Sequence, residues 1–318
     1  MPATSPTVTV LSGGGGGAKL AHGFAQLSGE AIGQLTVVAN TADDAELHGL
    51  WISPDVDTVM YTLAGRIDPA KGWGVTGDSF VAHTAMGELG ADTWFLLGDK
   101  DLATHVVRTA RLRAGATLTE VTAQLCAALG VGPRVLPMSD DPVATTLLTA
   151  DGRLGFQEYF VARRHADTVL GVELHGVAAA RPAPGVLDAL TSADVVVLGP
   201  SNPFVSIGPI LAVPGVREAL ARTTARRVAV SPVVGGRALK GPAAAMLSSL
   251  GHDVSALGVA RLYAGLVDVF VVDEEDAALA PAVAGLGMRV VTARTVMGPG
   301  EDRARLARDV LAAAENAR

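Results

Sequence analysis

The chain has 318 residues, of which 49% are hydrophobic and 18% are charged, and its formal net charge at pH 7 is −7. This composition excludes an intrinsically disordered chain, which has few apolar residues and a high net charge. The excess of acidic residues opposes binding to the phosphate backbone of nucleic acid, so we expect no DNA or RNA partner. A chain of this length forms one large α/β domain or two smaller ones.

The N-terminal segment and the hydropathy of the chain predict a cytoplasmic protein. No basic region precedes an apolar run at the start, and no window holds about 18 consecutive apolar residues, so we expect neither a signal peptide nor a membrane partner. The one cysteine, Cys126, cannot form an intramolecular disulfide. Its helical spacing from Val121, Leu125 and Leu129 favours a buried side chain over a catalytic thiol.

Buried-strand patterns alternate with helical patterns at both ends of the chain. Residues 7–11 and 35–39 are predicted to be the first two strands, with a crossing helix at residues 19–27. Four further apolar runs, separated by helical pattern, follow at residues 195–198, 228–230, 269–272 and 289–291. The expected fold class is therefore α/β, with a Rossmann-like, doubly wound, mostly parallel sheet.

The middle of the chain has a different pattern, which predicts an inserted helix-rich α+β segment. Helical periodicity covers residues 77–89, 102–113 and 118–129, and β-forming runs at residues 145–149, 156–161 and 168–174 predict an antiparallel meander. We therefore expect a nucleotide-binding core made of residues 1–65 and 186–318, with residues 66–185 inserted between its two parts.

Five consecutive glycines, Gly13, Gly14, Gly15, Gly16 and Gly17, join the first strand to the first helix. Backbone amides and the positive end of the helix dipole meet there, which favours a bound diphosphate. Asn40 stands where a dinucleotide-binding enzyme has an acidic residue for the adenosine ribose, which argues against NAD. Lys19 is followed by Leu20 rather than Ser or Thr, which argues against a P-loop NTPase.

Paired aspartates, Asp43 and Asp44, follow the second strand, and Asp55 and Asp57 follow soon after. Carboxylates close to a diphosphate are typical of a magnesium site, although one of them can instead act as a general base. Asp55 also suits the first turn of a helix that starts at Ser53, so helix capping is the alternative for it. The histidines show no spacing that indicates zinc.

Loops rich in small polar residues follow two of the C-terminal strands. The first spans residues 199–209 and contains Ser201, Asn202 and Ser206. The second spans residues 231–242, and its paired glycines and two cations precede a helix. Both are suited to bind a base or phosphate at the carboxyl edge of the sheet.

Taken together, these segments resemble the 2-phospho-L-lactate transferase family of coenzyme F420 biosynthesis, from Val8 to about Met297. The resemblance includes the glycine segment through Leu20 and the motif 52–58, as well as Trp73 between two glycines. Further motifs that carry it are residues 98–105, 137–141, 156–160, 199–209 and 231–242. Ala42 and Gly15 depart from the family, which usually has Gly at the first position and often has Thr or Val at the second.

The resemblance implies a Mg²⁺-dependent transfer of a phospholactyl or phosphoenolpyruvyl group from a GDP-linked donor to a hydroxyl of the deazaflavin Fo, with release of GMP. It implies metal binding and catalysis by Asp43, Asp44 and Asp57, and a homodimer. The residues implied for the GDP part are Gly13, Gly14, Gly15, Gly16, Gly17, Lys19, Ser201, Asn202, Ser206, Gly235, Gly236 and Lys240. Those implied for the deazaflavin are Asn40, Thr41, Asp55, Trp73, Asp99, Asp101, His105, Ser139 and Asp140.

Helix capping is the alternative role for Asp101, as it is for Asp55. Two other functions remain as alternatives. A related group of non-catalytic regulators binds nucleotide sugars with a similar glycine loop and paired aspartates, but the residues after Asp44 favour the transferase. A nicotinamide-dependent oxidoreductase is disfavoured by Asn40.

Overall fold

The structure is a computed structural model that describes residues 5–298 and 301–315. Its strands are β1 (Thr7–Ser12), β2 (Gln34–Ala39), β3 (Ala45–Leu47), β4 (Leu50–Ile52), β5 (Arg134–Pro137), β6 (Ala144–Thr149), β7 (Gly152–Gly155), β8 (Val169–His175), β9 (Val195–Leu198), β10 (Arg226–Val230), β11 (Val233–Val234), β12 (Arg237–Ala238), β13 (Val269–Asp273) and β14 (Arg289–Ala293). Its α-helices are α1 (Gly14–Ala25), α2 (Pro54–Leu63), α3 (Val81–Glu88), α4 (Asp99–Arg113), α5 (Leu118–Leu129), α6 (Val186–Thr191), α7 (Ile207–Ala212), α8 (Val216–Arg222), α9 (Ala243–Ser249), α10 (Ala256–Leu262), α11 (Ala280–Ala284) and α12 (Glu301–Glu315).

A seven-stranded sheet forms the centre of the protein, with strand order β14-β13-β10-β9-β1-β2-β5 and every neighbouring pair parallel. The chain moves outward from β1 to β2 and β5, returns to β9 beside β1, and then moves outward in the other direction. This reversal confirms the Rossmann-like fold. It places the switch point, where such sheets bind ligands, between β1 and β9.

The sheet is buried on both faces because its strands are apolar at successive positions. Val10 and Val197 face a core formed with α1, α2, α5 and α12, while Leu11 and Val196 face a second core formed with α6, α7, α8 and α10. Cys126 packs in the first of these cores, as predicted. Burial on both faces explains why the strand sequences are continuous apolar runs rather than alternating ones.

The middle of the chain contributes one strand to the sheet and otherwise covers its carboxyl edge. Strand β5 lies within residues 66–185, the range predicted as the insert, yet it pairs with β2 in the central sheet. Helices α3 and α5 fall within the predicted helical regions, and α4 begins three residues before the predicted start at residue 102. The antiparallel meander is a three-stranded sheet of order β7-β6-β8.

Two local predictions were wrong. The meander uses β7 as a strand, and residues 156–161, predicted as a strand, instead lead into a π-helical turn at Glu158–Ala162. Helix α1 starts at Gly14, five residues before the predicted start at residue 19, so most of the glycines form its first turn rather than a loop. Within the described residues, no helix is both long and apolar enough to cross a membrane.

Candidate functional site

A cavity of about 520 Å³ opens at the carboxyl edge of the sheet, at the switch point between β1 and β9. The start of α1, the segments after β2 and β9, α2, α4 and the π-helical turn all contribute to its walls. The predicted site residues that line it are Gly13, Gly14, Gly15, Gly16, Lys19, Asp43, Asp55, Asp57, Trp73, Asp101, His105, Ser201, Asn202, Ser206 and Lys240. The glycines and the aspartates therefore face one common space.

The first turn of α1 packs directly against the loop that follows β9. The Gly13 amide donates to Ser201 Oγ at 3.3 Å, and a Cβ atom on Gly16 would collide with the Pro200 carbonyl oxygen. A Cβ atom on Gly17 would collide with the Ser12 hydroxyl. The glycines thus permit close backbone approach, and the helix start that they form lines the cavity, where its dipole favours an anion.

Asp43 and Asp55 form an acidic pair around one amide group. Asn40 Nδ2 donates to Asp55 Oδ2 at 2.9 Å and lies 3.4 Å from Asp43 Oδ1. Burial raises the pKa of Asp55 to about 6, and burial followed by repulsion from Asp55 and Asp44 raises the pKa of Asp43 well above its ordinary value. Neither carboxylate has an ion-pair partner among the described residues, so the pair is suited to a cation.

Asp44 turns away from the cavity, contrary to what its position beside Asp43 suggests. Its Oδ2 atom accepts from Trp51 Nε1 at 3.0 Å and from Ser53 Oγ at 2.7 Å, and burial raises the pKa of the carboxyl to about 8. These contacts tie the segment after β2 to the β3–β4 hairpin and to the start of α2.

Asp57 already has a cationic partner in the fully buried Arg108 of α4. The two guanidinium Nη atoms contact both oxygens of the Asp57 carboxylate, one of them at 3.0 Å. Arg108 Nη1 also lies 3.2 Å from His105 Nδ1. Asp57, Asp101 and His105 lie close enough to hold a metal ion, but the guanidinium already neutralises Asp57.

Asp101 completes this network at the cavity wall. Its Oδ1 atom accepts from Tyr61 Oη at 2.8 Å and lies 3.3 Å from His105 Nε2. Burial works to raise the pKa of Asp101, but the hydrogen bond and charge of His105 outweigh it and keep the pKa low. The network therefore presents fixed, charged acceptor oxygens to the cavity, a surface suited to hydroxyl groups.

Aromatic side chains line the cavity where α4, the π-helical turn and the segment around Trp73 approach one another. Phe156 and Phe160 are stacked with ring centroids 5.5 Å apart and planes 8° from parallel. Trp73 is 40% exposed and lies under the Lys71 ammonium at 5.4 Å. Phe95 also lines the wall. Such surfaces are suited to a flat ring.

The remaining predicted residues lie outside the cavity lining. Gly17, Asn40, Thr41 and Asp44 are packed behind it. Gly235 and Gly236 have positive φ angles in the turn between β11 and β12. Asp99 accepts from the amides of Val81 and Ala82 at the start of α3, Asp140 accepts from Thr119 at the start of α5, and Ser139 donates to the Arg181 carbonyl. Their contacts are those of structural residues.

Several lining or supporting residues were missed as site residues from the sequence. Arg108 and Tyr61 bind the predicted aspartates, and Gln157 Nε2 donates to the Asp43 carbonyl at 2.8 Å. Phe156 and Phe160 were assigned to a strand. A signal for Arg108 was present, because an arginine three residues after His105 lies on the same helix face.

Comparisons with known proteins show the family of this chain. The family model described as 2-phospho-L-lactate transferase CofD matches residues 8–286. A 2-phospho-L-lactate transferase of Methanosarcina acetivorans is 43% identical over 302 residues, covering 95% of this chain and 97% of that protein. A phosphoenolpyruvate transferase of Streptomyces griseus is 44% identical over 317 residues, covering 98% and 99%.

A crystal structure of a UPF0052 family member from Bacillus halodurans has the same fold. Its TM-score is 0.62 at 19% identity, and the match covers 97% of this chain and 99% of that one. The family model spans most of the chain, and the similar transferases span nearly all of it. The chain therefore belongs to the 2-phospho-L-lactate transferase family.

Proposed function

We propose that this chain transfers a phosphorylated three-carbon acid, phospholactate or phosphoenolpyruvate, from a GDP-linked donor to a hydroxyl of the deazaflavin Fo, releasing GMP. The observation that supports this proposal is the composition of one cavity. It combines a helix start suited to anions, two aspartates that have no cationic partner in the described residues, and an aromatic wall. Relatives named as transferases of phospholactate and of phosphoenolpyruvate support the identity of the transferred group. Membership in a transferase family also favours this function over a regulator or a nicotinamide-dependent oxidoreductase.

We assign the divalent cation, Mg²⁺, to Asp43 and Asp55 rather than to Asp44 and Asp57. The residues present fit such an ion, because two buried carboxylates face the cavity with raised pKa values and no cationic partner within the described residues. Asp57 is neutralised by Arg108 and Asp44 is bound to Trp51 and Ser53. When bound, the ion neutralises charge on the diphosphate.

The protein contributes mainly position and charge to this reaction. The amides at the start of α1 receive the diphosphate, and Ser201, Asn202 and Ser206 border it from the loop after β9. The stacked Phe156 and Phe160 hold the flat ring, with Trp73 as a second aromatic surface of the cavity. The acceptor hydroxyl donates to the Asp57 carboxylate, and attack at phosphorus releases GMP.

We also propose a homodimer in the cytoplasm. Helix α3 has no buried residue, and the apolar side chains at its two ends, Val81 and Leu89, are 73% and 88% exposed. A helix that buries none of its side chains and exposes large apolar ones is suited to a protein–protein interface. A second copy of the chain is the partner that the family resemblance implies.

A reconstituted assay tests the function directly. Purified protein is incubated with Fo, Mg²⁺ and either GDP linked to lactate or GDP linked to enolpyruvate, whose β-phosphate forms the phospholactyl or phosphoenolpyruvyl group, and GMP release and product mass are followed. We expect one GMP released for each Fo converted to a phosphodiester. Binding of the donor without turnover of either compound would contradict the proposal and favour a regulator.

A further inference from the structure

Carboxylates outnumber the side chains that can carry a positive charge in the lining of the cavity. Four carboxylates line it, those of Asp43, Asp55, Asp57 and Asp101. Among the described lining residues, only Lys19, Lys240 and His105 can carry a positive charge. An anionic group on the donor must therefore be recognised by one of these three side chains or by the amides and the cation already assigned.

Two of the three are engaged elsewhere. His105 is buried within its own network, with Nδ1 3.2 Å from Arg108 Nη1 and Nε2 3.3 Å from Asp101 Oδ1. Lys240 Nζ donates to the Lys71 carbonyl at 2.6 Å, which joins the segment after β12 to the segment that carries Trp73. Its side chain is held at the mouth of the cavity.

Lys19 is the cation that remains. It lies three and four residues after Gly16 and Gly15, so it shares the face of α1 that lines the cavity. Its one hydrogen bond within the described residues is a long one, 3.5 Å from Nζ to the Met297 carbonyl, and it forms no ion pair there. Burial, followed by repulsion from Arg303 and Lys240, lowers the Lys19 pKa, a cost that an anionic ligand would relieve.

The proposed donor has one negative group that nothing else in the cavity neutralises. The amides of α1 and the cation at Asp43 and Asp55 serve the diphosphate, whereas the three-carbon acid brings an additional carboxylate. We propose that Lys19 binds this carboxylate and makes the enzyme select donors that carry an acid. The inference rests on the proposed function and specifies which group of its substrate Lys19 recognises.

Two probes that differ only in the carboxylate test the inference. One is GDP linked to lactate, and the other is the β-ethyl ester of GDP, in which hydrogen replaces the carboxylate. Their dissociation constants are measured with Mg²⁺ and without Fo. We expect the wild type to prefer the acid by roughly tenfold or more, the factor that one charge-assisted hydrogen bond supplies. Lys19→Met should lose this preference, and Lys19→Arg should keep part of it.

Lys240→Met is the matched control, because it removes the other lysine of the cavity. It should leave the ratio of the two constants unchanged. Equal weakening of both probes by Lys19→Met would show that Lys19 binds the diphosphate and would overturn the inference. An unchanged ratio in Lys19→Met, or loss of the ratio in Lys240→Met, would overturn it as well. A wild-type protein that binds neither probe would instead refute the proposed function.

Discussion

At the scale of single residues, neighbouring groups decide which aspartates are available for chemistry. Asp43 and Asp55 surround the Asn40 amide and have no cationic partner in the described part of the chain. Asp57 lies two residues after Asp55 in the same helix, yet its carboxylate is neutralised by Arg108. Spacing in the sequence did not distinguish these roles, because the guanidinium comes from a helix about fifty residues further along the chain.

Measurements of metal binding should therefore distinguish the roles of these aspartates. We expect Asp43→Asn and Asp55→Asn to weaken Mn²⁺ binding by at least about tenfold, since each removes one charged ligand of a hard cation. Asp57→Asn should retain binding, although its turnover should fall. Electron paramagnetic resonance titration of free Mn²⁺ measures all three. Loss of binding in Asp57→Asn alone would return the metal to that residue.

Removing one partner of the Arg108–Asp57 ion pair should lower the free energy of unfolding strongly, whereas replacing both partners should lower it much less. Arg108→Met leaves a buried carboxylate without its partner, which costs about 3–5 kcal/mol of unfolding free energy. The double variant Asp57→Leu with Arg108→Met should recover most of that stability, because neither charge remains. Urea denaturation measures the stability, and GMP release should stay low in the double variant. Full activity there would mean that the pair is only structural.

Cys126 should be inert in the folded protein. Burial raises the pKa of its thiol to about 12, so at pH 8 almost none of it is thiolate, the reactive form. We expect a disulfide reagent to label the native protein only as fast as the protein opens, and to label it at once in guanidinium chloride. Fast labelling of native protein would place the thiol at the surface.

At the scale of elements, the start of α1 shows how a glycine run serves close packing. Because Gly16 touches the Pro200 carbonyl, a side chain there must separate α1 from the loop after β9. Gly15 faces open space, with no atom nearer than 3.9 Å to an added Cβ. The two positions are adjacent in sequence, so they make a matched pair.

Gly16→Ala should lower the unfolding free energy by about 1–3 kcal/mol, the usual cost of overpacking. Gly15→Ala should preserve stability, since alanine favours a helix over glycine. Thermal denaturation followed by circular dichroism compares them, and GDP titration should show weaker binding in Gly16→Ala. Equal stability of the two variants would mean that the contact with Pro200 is easily relieved.

Elements with a clear apolar period were predictable from the sequence, and elements set by tertiary contact were not. The core strands and α5 matched because buried valine and leucine runs dominate them. The early start of α1 was missed because glycine disfavours a helix, and close packing against Pro200 and Ser12 explains its use there. The segment at Phe156 has β-forming residues, but the contact of Gln157 with the Asp43 carbonyl anchors it next to the cavity as a helical turn.

At the scale of the whole molecule, the sheet order brings the site together from distant parts of the sequence. The glycines follow β1 and Ser201 follows β9, and these two strands are neighbours only because the chain reverses direction. The sequence indicated that both ends of the chain contribute strands, which was sufficient for the fold class. It could not indicate that β5 joins the sheet, because only two apolar residues, Val135 and Leu136, lie between Arg134 and Pro137.

The exposed apolar side chains beside α3 predict the oligomeric state of the whole molecule. Leu89→Asp should convert a dimer to a monomer, because it places a charge within an apolar contact. Leu170→Asp is the matched control on β8, where the leucine is 61% exposed. Sedimentation velocity measures both variants. A wild-type monomer, or a dimer that survives Leu89→Asp, would remove α3 from the interface.

The ion pair between Asp57 and Arg108 also affects how the chain folds during its synthesis. A ribosome releases Asp57 well before Arg108, so α2 emerges with a carboxylate that is costly to bury before its counter-charge is available. We therefore expect helix α2 to remain loosely packed until α4 has been synthesised. The N-terminal half of the nascent chain would then finish folding only when α4 packs against it.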